Sequence, residues 1–583
     1  MALPATPESN NTLLILDTGL TLIGVALAYA FPNIGRAFFR RAEAAFALLA
    51  RRKTLAVFAV GISVLLFRVA ILPIHPIPKP FLPDDFSFLL AAETFAKGRL
   101  ANPTPIMWRS FETIHETMKP TYMSMYFPGP GLILAAGQVL LGSSWFAVLI
   151  VSVLMCAAIC WALQAWLPPG WALLGGVIAI MRLGVFSYWT NTYHAAGSLA
   201  ALGGALILGS LPRMIKSGRV FYGLPMALGM AILVVTRPYE GVLLCLPVVA
   251  VLGHWIVKGK NRPRPAILMR GAVLPLALVI GAVAWLGYYD YRAFGNPLTL
   301  PYSVDRATYA IAPYYIWQPP RPEPQYSSLE MRRFYEQNEL PFYREIHSPA
   351  GFVPKTLEKT GFALLFYAGT TLFLPLIMIR RVFLDRRMRF FTVSLLVLMA
   401  GMVIEIYLLP HYVAPFTVVF YAIGLQAMRH LRLWKPEGRP VGIAQVRMAV
   451  VVVLMLAGLR IIARPLGLSP SRFPPSNWSL TWYGPETYGA ERAQVESRLT
   501  ALPGPQLAIV RYRPDHQVLD EWVYNHPDID ASKVVWAREL DAADNKALID
   551  HYRDRTAWLV EPDSSPAAVS PYPVQVDSSA GAR

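Results

Sequence analysis

Apolar runs long enough to cross a bilayer recur along most of this chain, and no other feature restricts its fold as tightly. A hydrocarbon core about 30 Å thick asks for roughly 17 or more apolar residues in a helix, and several runs meet that length. Hydrophobic residues make up 55% of the 583 positions and charged residues 15%, against about 25% charged in a typical soluble domain. The expected class is an α-helical polytopic membrane protein. Twelve crossings are expected, near 12–31, 54–72, 146–166, 171–187, 196–212, 220–236, 241–257, 271–290, 357–379, 391–409, 413–428 and 447–463. The segment 129–141, GPGLILAAGQVLL, is apolar but too short to span, so a re-entrant or interfacial placement is expected.

The formal charge is +17, from 53 basic and 36 acidic residues. Its distribution excludes a nucleic-acid footprint, because the basic residues gather in short loops between the apolar runs. Loops 36–53, 212–219, 258–270, 380–389 and 429–447 alternate along the chain and are all basic. Cytoplasmic loops carry such an excess of Lys and Arg, so both termini are expected on the outer face. The first apolar run lacks a basic flank and a small-residue cleavage site, so no cleavable signal peptide is expected. Cys156, Cys160 and Cys245 lie within apolar runs. Without His or further Cys partners, the spacing of Cys156 and Cys160 reads as helix packing rather than a metal site. No internal repeat is evident.

The outer side then holds most of the mass outside the bilayer: loop 73–145, loop 291–356 and a tail from 464. Both loops are rich in aromatic residues and proline, and long loops of this kind are usually functional or disordered. The tail reads as a small α/β unit. Strands are expected at 506–512, 534–539 and 556–562, with a helix over 541–554 capped by Asp541 or Asp544 and a loose end from 564. Three parts follow: an extension over 1–53 with one span and a basic loop, a membrane module over 54–463, and an outward α/β domain over 464–583.

The chemistry concentrates at the outer face. In PDDFSFLLAAETFAKG, the adjacent acids Asp84 and Asp85 stand just after a span. A solvated carboxylate there suits a catalytic base acting on a lipid-borne substrate, and Asp at a helix start also suits an N-cap. The same loop carries Glu93, Arg99, Arg109, Glu112, His115, Glu116, Lys119, Tyr122 and Tyr126. Glu112-x-x-His115-Glu116 has a metal-like spacing but lacks the second histidine of the zinc-protease pattern. His194, Arg237, Glu240, Glu405 and His411 fall at the outer ends of later spans. Ionisable groups there default to functional candidates because burying them in lipid is costly. Each also has a structural reading: Arg237 as a snorkelling cation, Glu240 as its ion-pair partner, His411 as a helix C-cap. Together, an acid pair, an arginine and a histidine at one face suit transfer of a sugar from a lipid phosphate. The acid would deprotonate an acceptor hydroxyl while cations stabilise the departing phosphate.

The stretch PDDFSFLLAAETFAKGRLANPTPIMW, followed by KPTYMSMYFPGPGLILAAGQ, resembles the GT-C integral-membrane glycosyltransferases. It is most similar to the Rgt-like bacterial branch, which is related to the dolichyl-phosphate-mannose protein mannosyltransferases and the lipid A aminoarabinose transferase. FSYWTNTYH, TRPYEG and PHYVAP also look like parts of that core, and the resemblance covers roughly 54–430. It implies an inverting hexosyl or pentosyl transferase acting in one displacement, at the periplasmic face of a bacterial inner membrane. The donor would be a polyprenyl-phosphate sugar and the acceptor a glycan, lipid or protein. By the same resemblance Asp84 is the catalytic acid and Asp85 its partner, with Lys119, Arg237 and His411 as contacts to the donor phosphate. Tyr126, His194, Glu240 and Glu405 complete the candidate site. A Mg²⁺ or Mn²⁺ held by Asp84 and Asp85 remains open, since carboxylates suit hard cations. Two departures stand out: Met125 occupies a position where relatives carry a basic residue, and His194 one where a small residue is usual. Two rivals are kept. A multi-span transporter would carry its site near the midplane between repeated halves, and a non-enzymatic envelope assembly protein would need only the tail.

Overall fold

The computed structural model describes residues 7–463 and 489–573, with isolated positions 466, 468 and 481 between them. Among these, eight helices are long and apolar enough to cross a membrane: Leu13–Ala30, Lys53–Ala70, Ser144–Trp166, Ala196–Ser217, Pro238–Lys258, Pro265–Phe294, Arg386–Ile404 and Val441–Ile462.

Four of the twelve expected crossings are not single helices of that length, one of them being a bent pair that makes a ninth candidate if taken as one span, and three of the four have visible causes. The run at 171–187 ends in a π-turn over Ile180–Gly184, where Arg182 donates to the carbonyls of Leu365 and Phe366 at 2.9 and 2.7 Å. The run at 357–379 breaks where Gly369 takes φ 57°, and helices Phe352–Ala368 and Thr371–Leu384 meet at 105°. A Cβ on Gly369 would also lie 2.4 Å from the Arg182 guanidinium, so the two breaks are one device. The run at 220–236 becomes the short apolar helix Val220–Val234, stopped before Arg237. The run at 413–428 is the 15-residue helix Thr417–Leu431. The apolar 129–141 segment forms the 14-residue helix Pro128–Leu141, packed on its neighbour Ser144–Trp166.

Helix Ala196–Ser217 is the most enclosed, with 83% of its apolar window buried, whereas none of the window in Pro265–Phe294 is. The centre is knit by small residues. A Cβ on Gly204 would fall 2.0 Å from the Pro415 carbonyl oxygen, a backbone atom that cannot step aside. Gly204→Ala is therefore expected to cost about 1–3 kcal/mol by overpacking. Gly458→Ala, at a position with open space, is expected to be neutral. Thermal inactivation in detergent micelles compares the two.

The basic segment 36–53, expected as a loop, is instead helix α2, Arg36–Arg51, following α1, Pro7–Ala30. Phe38, Phe39, Ala42, Ala45, Phe46, Leu49 and Ala50 repeat at helical spacing while Arg36, Arg40 and Arg41 take other positions, the pattern of a helix lying in a membrane interface. Helix α3, Lys53–Ala70, follows.

Loop 73–145 is ordered by helix α4, Pro83–Ala96, and by a small antiparallel sheet. Its strands are β1 (Asn102–Pro103), β2 (Glu116–Thr117) and β3 (Thr121–Ser124), in the order β1-β3-β2. The second long loop carries helices Pro301–Tyr309 and Leu340–His347. In the tail, β4 (Gln506–Val510) pairs in parallel with β5 (Val534–Arg538) and β6 (Thr556–Glu561), and β7 (Ala568–Pro571) closes the sheet antiparallel to β6. Strand β7 lies in the stretch expected to be loose: its backbone completes the β6 edge, which the local composition does not signal. Residues 574–583 of that stretch lie outside the described positions. Asp541 caps helix Ala542–His551, accepting from the amides of Ala543 and Asp544 at 3.0 and 2.8 Å. Helix Ala490–Thr500, not expected from the sequence, covers one side of this sheet.

Candidate active site

Helix α4 starts at Pro83, whose fixed φ and missing N–H suit a first helical position. Asp84 and Asp85 fall in its first turn, where the helix dipole favours negative charge. Successive helical residues are rotated by about 100°, so the two acids face different surroundings.

Asp85 turns inward. Its carboxylate accepts the Tyr193 amide at 2.9 Å and the Phe81 amide at 3.4 Å, tying α4 to the turn before helix Ala196–Ser217 and to its own N-terminal approach. Burial pushes its carboxyl up to about 7 despite these bonds. The N-cap of α4 is Leu82, without a side-chain cap bond, so neither acid fills the capping role weighed for the pair, and Asp85 acts instead as an anchor between segments. Asp84 faces the other way. Its side chain is 19% exposed, and Oδ1 lies 3.1 Å from His115 Nδ1. The Tyr126 hydroxyl donates to the same oxygen and lies 3.0 Å from the same imidazole nitrogen. Burial opposes the Asp84 charge, but the His115 hydrogen bond and charge, aided by Arg237, outweigh it and hold the carboxyl below its ordinary value. For His115 burial disfavours the imidazolium, and Asp84 reverses this and raises the imidazole above its usual value.

The two carboxylates therefore do not converge. Asp85 spends both oxygens on backbone amides, and Asp84 is engaged with His115 and Tyr126. The pair does not fit a shared Mg²⁺ or Mn²⁺, and among the described residues no three His, Cys, Asp or Glu side chains are grouped to hold one. The metal-like spacing around His115 also dissolves. Glu112 accepts from Ser327, Glu116 is buried in β2, and His115 alone turns to Asp84.

A cavity of about 470 Å³ lies next to this group. Arg237, Glu240, Glu405 and Tyr412 line one side, and Tyr302, Arg306, Tyr314 and Arg321 of the second long loop line the other. The Arg237 guanidinium sits 4.1 Å from the Tyr412 ring centre and 3.6 Å from Glu240. Tyr302 links cavity and base, its ring packing edge-on against Tyr126 at 5.5 Å. Neither Asp84 nor Tyr126 is among its lining residues; Asp84 is connected to the cavity wall through Tyr126 and then Tyr302.

Other candidates sit elsewhere. His411 is 4% exposed and bonds through Nδ1 to the Tyr188 hydroxyl at 2.7 Å. Its ring lies against His194 with centres 4.1 Å apart and planes tilted by 53°, and neither histidine is among the residues lining the cavity. Burial holds His194 neutral, its imidazole pushed down to about 4. Lys119 is exposed, its ammonium 3.7 Å over the Trp108 ring, and is not brought to Asp84. The cationic set expected from the sequence is thus reduced to Arg237 at the cavity. Arg306 and Arg321, not singled out in the sequence, enter from the loop 291–356. Arg306 is spent on Glu339 at 2.7 Å, while Nη1 of Arg321 has no hydrogen-bond partner among the described residues. The one local hint of this lining was the loop's density of Tyr, Arg and Pro.

No family model matches the chain, and no curated protein does. Among solved structures, the chain is similar to ArnT from Cupriavidus metallidurans in the apo state, with 15% identity, 89% of this chain and 93% of that chain covered, and a TM-score of 0.44. ArnT bound to undecaprenyl phosphate gives 13% identity, 87% and 92% coverage, and a TM-score of 0.45. The oligosaccharyltransferase of Archaeoglobus fulgidus, in complex with Zn and sulfate, gives 11% identity, 86% and 67% coverage, and a TM-score of 0.44. Likenesses at this level assign no role to any residue here.

Proposed function

We propose that this chain is a membrane glycosyltransferase of the GT-C type, transferring a sugar from a polyprenyl-phosphate donor to an acceptor hydroxyl at the outer face of a bacterial inner membrane. The observation that carries the reading is Asp84: a carboxylate held ionised between His115 and Tyr126, beside a cavity lined by Arg237 and tyrosines. Tyrosine faces suit a sugar ring, and the Arg237 fork suits a phosphate. In the step, the acceptor oxygen attacks the anomeric carbon and gives its proton to Asp84. The bond from that carbon to the phosphate oxygen breaks, and the phosphate leaves with the electron pair, its charge met by Arg237. Attack opposite the leaving group inverts the anomeric centre. No step passes through a divalent cation.

The test is sugar release from a labelled polyprenyl-phosphate hexose or pentose by the protein in nanodiscs, wild type beside Asp84→Asn. Turnover by wild type and its loss in the variant supports the reading; a folded protein inert with every donor would return the transporter and assembly alternatives.

The pH profile gives a second prediction. Asp84 accepts a proton only when ionised, and its pKa is held below the ordinary value, so the acid limb is expected below the ordinary aspartate range. His115→Phe removes the partner that offsets burial, so the limb moves to higher pH. An unchanged limb in that variant would take His115 out of the account.

A further inference from the structure

Phe86 lies two residues after Asp84 on α4, and its ring is stacked on Tyr524 of the C-terminal unit, with centres 4.3 Å apart and planes 5° from parallel. The hydroxyl of the same Tyr524 donates to the Ile114 carbonyl at 3.1 Å. Ile114 immediately precedes His115, whose φ is 66°. A non-glycine residue in the left-handed region persists only where its surroundings over-determine it, and such residues gather at active sites. Here Ser87 of α4 and the Met125 amide hold the His115 carbonyl at 2.7 and 3.1 Å. Tyr524 holds the carbonyl before it. One buried side chain thus touches both the helix that presents Asp84 and the turn that presents His115. Tyr524 is itself fixed: Arg492 donates to its carbonyl at 3.0 Å and lies 4.7 Å from the Phe86 ring, and Asn525 exchanges two hydrogen bonds with Trp536 of β5.

We propose that Tyr524 is a positioning residue which clamps Asp84 and His115 together, making the C-terminal unit part of the catalytic base rather than a separate binding module. The catalytic part of this proposal rests on the reading of Asp84 as the base. The charged and titratable groups facing the pair are Tyr126, His194, Arg237, Asp305 and Glu339. None of them hydrogen-bonds to Tyr524's hydroxyl, which is held by the Ile114 carbonyl and the adjoining Thr113 side chain, so its removal alters the pair through geometry.

The test is Tyr524→Phe in the full-length protein in nanodiscs. This keeps the stacked ring and deletes only the hydroxyl's bonds to the Thr113–Ile114 turn. Expected are a fall in kcat of about 10- to 100-fold, an unchanged KM for the donor, and an acid limb shifted upward as in His115→Phe. Tyr552→Phe, which deletes a hydroxyl bond to Asp530 in the same unit, serves as the control and is expected to shift neither. Wild-type kcat and acid limb in Tyr524→Phe would overturn the clamp. If the wild type turns over no donor, the functional reading fails, and the clamp is then decided at His115 itself, which is 17% exposed. The pH midpoint of its modification by diethyl pyrocarbonate, read by mass spectrometry, is expected to fall in Tyr524→Phe. Equal midpoints would overturn the clamp independently of any activity.

Discussion

Asp84→Asn is expected to lower kcat by about 10²- to 10⁴-fold, the range a positioned general base supplies. The substitution is nearly isosteric, and the amide oxygen can still accept from the Tyr126 hydroxyl that now bonds to Asp84. What it removes is the negative charge that accepts the acceptor's proton and raises the His115 imidazole above its usual value. Donor affinity, set at the cavity rather than at Asp84, is expected to stay within a few-fold. Steady-state turnover and equilibrium donor binding, measured on the same nanodisc preparation, separate the two quantities. A loss in binding with kcat intact would mean that Asp84 contacts the donor and that the base lies elsewhere. Asp85→Asn is expected to behave differently. Its carboxylate joins α4 to the Tyr193 turn, so the variant loses stability before it loses chemistry.

Arg237→Gln carries the second large effect. A donor aimed at charge developing on a leaving group is worth about 10²–10³ in rate, and Arg237 is the cavity cation nearest the Asp84 side, felt by Asp84 itself. Arg237→Lys keeps the charge but loses the planar fork and its seat over Tyr412, so an intermediate loss is expected. The lysine variant also guards against a trivial outcome, because Gln leaves Glu240 facing the cavity without its ion-pair partner. Single-turnover rates at saturating donor are the measure. A raised KM with unchanged kcat would mean that Arg237 holds ground state and transition state alike. No change in either would move the phosphate away from Arg237, with Arg321 the next place to look.

Much of this was legible locally. Apolar length and basic flanks need only a window of sequence, so the helices from Lys53–Ala70 to Val441–Ile462 fall where hydropathy puts them. The acid pair announces itself by adjacency to a span end, and strands 506–510, 534–538 and 556–561 by short buried runs. What failed were places where a long-range contact overrides local pattern. Arg182 and Gly369 break two apolar runs because the guanidinium of one fits against the missing Cβ of the other. Strand β7 forms because β6 has an edge to fill.

Sequence by itself determined that the chain is built of membrane-length apolar helices with a polar, aromatic mass between and after them, since length and periodicity are properties of a segment alone. It also determined that acid, tyrosine, histidine and arginine were available at the ends of those helices. Only the tertiary structure decided which of them meet. Asp84 and Asp85 are chemically identical neighbours, and one helical step sends one to His115 and the other to backbone amides. His115 is aimed by a left-handed turn held from α4 and from Tyr524, hundreds of residues away in sequence. Lys119, close to both in sequence, lies over Trp108 instead. The direction of a side chain and the identity of its distant partners are settled by packing, and no window of sequence contains them.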